Sequence, residues 1–175
     1  MAKVKRVSFK TSGKSSVSIN NFVKTIESDA KCPKGFLNFC AIAKPSYFPN
    51  CQVPRYKVAI MFDPDIAAHK DFLDSLKRKG RSFGVSQFGV ETDEGCIVIS
   101  FQGRDKPITK LVEYGKKRAI NVELDNDMPT SIQCEVKFDL KTYTQRKSQE
   151  TLFTFTPSEI IFHLDERSQN ALIAD

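Results

Sequence analysis

From Phe36 onward, apolar residues recur at alternate positions in short runs separated by turn-forming residues. Residues 37–43, 56–62, 96–103, 108–114, 131–144 and 152–164 are each rich in β-branched and aromatic side chains, the types that fit a half-buried pleated surface. Lys44-Pro45-Ser46, Asp93-Glu94-Gly95 and Asp125-Asn126-Asp127-Met128-Pro129 stand between them with the chemistry of turns. The alternation is clearest in the fifth run. Cys134, Val136, Phe138 and Leu140 fall on one face, and Lys137, Lys141 and Tyr143 on the other.

Helical spacing occurs twice. Asp63-Pro64-Asp65 opens a helix over 66–79, with Ile66, Leu73 and Leu76 on one face, the two carboxylates at its start, and Lys77, Arg78 and Lys79 before a stop at Gly80. Nearer the start, Ile19, Phe22, Val23 and Ile26 follow Ser18 at i, i+3, i+4 and i+7, which predicts a short amphipathic helix docking on the domain or on another subunit. The chain divides accordingly into a basic N-terminal extension carrying that helix (1–35), a β domain (36–165) and a short tail (166–175). Strands with one internal helix and no βαβ alternation predict a mainly β protein, a small antiparallel barrel with a helical insertion.

Length and composition agree with one folded domain: 175 residues, 40% hydrophobic and 27% charged. No run approaches the roughly 18 apolar residues of a membrane span, and no apolar stretch follows the basic start as in a secretory leader. The expectation is a cytoplasmic protein without a membrane partner. The five cysteines, Cys32, Cys40, Cys51, Cys96 and Cys134, are widely spaced with no CxxC pair, so they read as reduced, mostly buried small hydrophobes.

Charge changes the picture through its distribution. The net of +6 resolves into +9 over residues 1–60, +2 over 61–120 and −5 over 121–175, which suits a polyanion binder. Catalytic chemistry finds little support. There is no GxSxG, P-loop, GxGxxG or HExxH motif, and the two histidines, His69 and His163, sit in apolar settings where a structural role is the usual one. Asp125 and Asp127 read as a solvated turn, with a weak divalent-cation site as the competing reading. We expect no enzyme, no cofactor and no metal.

Aromatic rings interleaved with cations point elsewhere. Single strands are held by positive grooves for phosphates and by rings for bases. The chain has 14 Phe, 4 Tyr and no Trp; Phe39, Phe62, Phe72, Phe138 and Phe162 are expected in the core. The tyrosines sit beside cations: Tyr47 after Lys44, Tyr56 between Arg55 and Lys57, Tyr114 before Lys116, Lys117 and Arg118, and Tyr143 after Lys141. Phe101 and Arg104 add a ring and a cation at the end of another strand. These thirteen residues are the candidate DNA-binding set.

The segment Cys40-Ala41-Ile42-Ala43-Lys44-Pro45-Ser46-Tyr47, followed by Arg55-Tyr56-Lys57-Val58-Ala59-Ile60 and a helix carrying Lys70-Asp71-Phe72-Leu73, resembles the opening of the podovirus-type phage single-stranded DNA-binding proteins. The resemblance extends in element order over 37–165 and at residue level over about the first 40 of these positions. It implies a five-stranded oligonucleotide-binding (OB-fold) β-barrel and a non-enzymatic protein that coats and protects exposed strands during phage DNA replication and recombination. It also implies work in the host cytoplasm, contact with replication proteins such as a DNA polymerase or helicase, and frequent formation of a homodimer. Lys44, Tyr47, Tyr56 and Lys57 are the residues best matched for the strand-binding surface. The chain departs from the pattern in lacking a long acidic tail and in carrying the basic N-terminal region. A different class remains open on the residues alone: a virion structural or interaction protein whose basic arm touches packaged nucleic acid.

Overall fold

The computed structural model describes residues 23–49 and 52–174, and within them nine strands and two helices. In chain order these are β1 (Val23–Lys31), β2 (Gly35–Ser46), β3 (Arg55–Phe62), α1 (Ala67–Phe83), β4 (Val90–Glu91), β5 (Ile97–Gly103), β6 (Ile108–Val112), β7 (Ile120–Asn121), β8 (Gln133–Thr144), β9 (Thr151–His163) and α2 (Glu166–Ala174). The strands form one mixed sheet in the order β4-β5-β3-β2-β8-β9-β6-β7, with β1 paired to β8. All pairings are antiparallel except β6 with β9.

One edge of β8 serves two partners. Its first residues, Gln133 and Cys134, pair with Phe36 and Gly35 of β2, and from Lys137 to Tyr143 it pairs with β1. At the bend between β1 and β2, the Cys32 N–H donates to the Val136 carbonyl at 3.1 Å. The alternation of β8 holds as the sequence predicts: Cys134, Val136, Phe138 and Leu140 are all buried, while Lys137, Lys141 and Tyr143 are half-buried on the opposite face.

The sheet curls on itself. Phe101 on β5, Phe138 on β8 and Phe155 on β9 have ring centroids 5.2, 5.5 and 5.6 Å apart, although β5 and β9 are not hydrogen-bonded neighbours. A Cβ placed on Gly103 would lie 3.3 Å from Thr156 Cγ2. The interior is therefore closed by rings, and each fully buried ring stabilises by about 1.5–3 kcal/mol. From α1, Phe72 adds a ring 5.1 Å from Phe62 and 6.3 Å from Phe138.

Several local expectations are corrected. Val23 and Ile26, given to a helix by their spacing, lie in β1, where pairing with β8 overrides a weak helical pattern; Ser18, Ile19 and Phe22 lie outside the described residues. Helix α1 runs past Gly80 and ends at Gly84, whose φ of +74° suits the left-handed cap. Asp63 does not cap it: its carboxylate accepts the Asp65 N–H at 2.9 Å, and Ile66 occupies the N-cap position without a side-chain bond. Lys44-Pro45-Ser46, read as a turn, belongs to β2. The two-residue strands β4 and β7 are too short to show a period.

Candidate nucleic-acid interface

The outer face of β2 and β3 is shaped by an irregularity in β2. Leu37 pairs with Ile60 but Phe39 with Ala59, so one extra residue, Asn38, is inserted between them. Such a bulge reverses the facing of the residues beyond it. Leu37 is buried, and Phe39, expected in the core, is 41% exposed. Phe48 meets it edge-on, centroids 6.0 Å apart. Lys57 Nζ lies over both rings, 5.6 Å from the Phe39 centroid and 4.9 Å from that of Phe48. This arrangement is worth about 0.5–1 kcal/mol at an exposed site. On the same face, Ala41 stands opposite Lys57, and Ala59 opposite Phe39 and Ser100, leaving a low floor beside the two rings.

Farther along β2 the pairing slips again, with four residues of β2 (42–45) against one of β3 (Tyr56) between Ala41/Lys57 and Ser46/Arg55. The amides freed there need another acceptor. Asp127 supplies it, its Oδ1 accepting from the Ile42 N–H at 2.8 Å and the Ala43 N–H at 2.9 Å. The carboxylate read as part of a solvated turn is thus a latch on the segment leading to Lys44 and Tyr47. No His, Cys, Asp and Glu side chains group to hold a metal among the described residues.

Lys44 is exposed and Tyr47 is 71% exposed. Arg55 stands opposite Ser46, with its Nε buried and without a hydrogen-bond partner among the described residues. Arg104, exposed, follows Gly103, which pairs with Tyr56. Lys44, Tyr47, Arg55, Lys57 and Arg104 therefore gather at one end of the β2–β3–β5 face. Phe39 and Phe48, absent from the candidate set, complete it. A strict two-residue period hides Phe39, and the only sequence signal for Phe48 is its place beside Tyr47.

Two candidates turn toward the core. Phe101 is 0% exposed within the ring cluster of the core, because at the strand's alternation it shares the inward side with Ile99. Tyr56 packs partly buried against the core, since a residue next to the outward Lys57 must face inward. Lys141 and Tyr143 lie half-buried on the outer face of β8, opposite Thr154 and Leu152 of β9. Tyr114, Lys116, Lys117 and Arg118 are exposed on the turn between β6 and β7, past β9 in the sheet.

Titratable groups in the interior serve the fold. His69 Nδ1 accepts the Asp63 N–H at 3.0 Å, so its Nε2–H donates to the Lys34 carbonyl at 2.5 Å. His163 meets Glu135 at 2.6 Å. Burial pushes the Cys32 thiol up to about 12 and that of Cys40 to about 11, and raises Cys134 well above the ordinary range. These sulfurs remain thiols at neutral pH rather than nucleophiles.

In sequence, no protein-family model matches the chain, and no curated protein does. In structure, the chain has the fold of bacteriophage single-stranded DNA-binding proteins. It is similar to gp2.5, a single-stranded DNA-binding protein encoded by bacteriophage T7, with a TM-score of 0.55 at 13% identity, over 77% of this chain and 85% of that one. It is similar also to the single-stranded DNA-binding protein of bacteriophage Enc34. In complex with single-stranded DNA the values are 0.54 and 15%, over 78% and 86% of the two chains. As a C-terminal truncation they are 0.58 and 12%, over 91% and 98%.

Proposed function

We propose that the chain binds single-stranded DNA with little regard to sequence and carries out no chemical step. The observation that carries this reading is the coincidence of a fold shared with phage single-stranded DNA-binding proteins and an exposed ring, Phe39 of β2, that meets half-buried Phe48 beneath Lys57 of β3. Rings stack on any base, and cations neutralise phosphates at any sequence. Strands β5, β3, β2, β8 and β9 form the OB-type barrel, with β6 and β7 added beyond β9. The strand lies on the β2–β3–β5 face, stacked on Phe39, Phe48 and Tyr47 and held by Lys44, Arg55, Lys57 and Arg104. Lys141 and Tyr143 extend the surface on β8. In this reading the protein coats and protects exposed strands during phage replication and recombination in the host cytoplasm, alongside replication proteins and as a dimer.

A fluorescence titration at low and moderate salt against oligo-dT, the RNA equivalent and a duplex tests the reading. Preference for single-stranded DNA, weakening steeply with salt, is the expected result. Equal affinity for duplex would sink it.

A further inference from the structure

We infer that the turn between β6 and β7 is a second nucleic-acid contact, separate from the β2–β3 cluster, which grips the same single strand where it runs past the first. The inference rests on the strand binding proposed above. Tyr114 is 53% exposed at this turn, and Lys116, Lys117 and Arg118 are exposed beside it. The turn is held in shape: the Lys116 N–H donates to the Glu113 carbonyl at 3.0 Å, and the Tyr114 N–H to Gln169 Oε1 of α2 at 3.1 Å.

Its cations differ from their neighbours. Lys106 is paired with Glu123 at 3.2 Å and Lys110 with Glu159 at 3.3 Å. Among the described residues, no ion pair engages Lys116, Lys117 or Arg118. Three unneutralised cations around one solvent-facing ring match a ligand that offers phosphates and a stackable base together, which is a single strand. In the sheet, β8 and β9 stand between β2 and β6. Next to the turn, Lys110 of β6 is paired with Glu159 of β9, and on the interval itself His163 meets Glu135, whereas Lys137 and Lys141 of β8 have no ion pair among the described residues. On this inference a strand confined to β2 and β3 leaves the turn free, and a longer one engages it.

The experiment compares labelled oligo-dT of about 6 and about 30 nucleotides, bracketing the roughly 4–16 that one OB-type surface covers. It uses the full chain, wild type and with Lys116→Ala, Lys117→Ala and Arg118→Ala combined. The variant should bind the short strand within about twofold of wild type and lose on the order of tenfold on the long one. Its salt slope on the long strand should fall by about 2, as loss of three phosphate contacts requires. Charge-preserving exchange (Lys116→Arg, Lys117→Arg, Arg118→Lys) should restore the long-strand affinity, and Lys116→Glu alone serves if the triple variant melts early. Equal loss on both lengths, or none on either, overturns the second contact while leaving strand binding intact. Failure of the wild type to bind either length removes the underlying reading and this inference with it.

Discussion

The inner and outer faces of β2, β3 and β5 are built on the same strands and both carry phenylalanine, yet the rings have opposite fates. Inside, Phe101 is fully buried against Phe138 and Phe155. Outside, Phe39 meets Phe48 and Lys57 with 41% of its surface open. Hydrophobicity is the same in both cases. The difference arises from one inserted residue in β2, because a single extra position exchanges the two faces. An interior ring stabilises the fold by leaving water, whereas an exterior ring leaves part of its surface open to solvent.

The largest expected break in this contrast is Phe101→Ala. It should lower stability by about 3–5 kcal/mol in urea denaturation, while molecules that remain folded bind oligo-dT as wild type does. Phe39→Ala and Phe48→Ala should show the reverse. Each should weaken oligo-dT binding by about 1–3 kcal/mol, roughly 5- to 150-fold, with a thermal midpoint close to wild type; a large drop in that midpoint would assign the rings to the fold instead.

Asp127→Ala sharpens the comparison at the join between the faces. Losing the acceptor for two amides should cost about 1 kcal/mol, speed hydrogen exchange at Ile42 and Ala43, and loosen DNA binding, while Asp127→Asn keeps an acceptor oxygen and should have a milder effect. Thiol reactivity separates inside from outside without mutation. With their thiols raised by burial, Cys32 and Cys134 should resist a disulfide reagent at pH 8 in the native protein and react at once in urea.

The smallest effect is at α2. The Ser168 N–H bonds Asp165 Oδ1 at 2.7 Å and holds that carboxyl below its usual range. Because the folded value is the lower one, the contribution is complete above the ordinary carboxyl range near pH 4. It is lost as acid carries the pH down through the folded value. Asp165→Asn should flatten this acid-side loss of α2 signal, measured by amide chemical shifts.

Six of the nine strands and α1 were legible because their apolar residues keep a regular period. The inward set on β8 was legible residue by residue, since regular alternation is a local property of the chain. The basic front and the absence of a familiar catalytic motif were likewise readable without coordinates. The placement of β1 was not, as its pairing with β8 spans more than a hundred residues of sequence and no local pattern encodes it. Nor was the choice among rings. Tyr56 and Lys57 are adjacent in sequence and so face apart, and Phe39 turns outward only because of the bulge at Asn38. The sequence by itself determined which residue types were available for a strand-binding surface and the period on which they lie. Tertiary structure decided which of them share a face, because a bulge, a slip in pairing and a distant carboxylate such as Asp127 act through contacts that exist only once the sheet has closed.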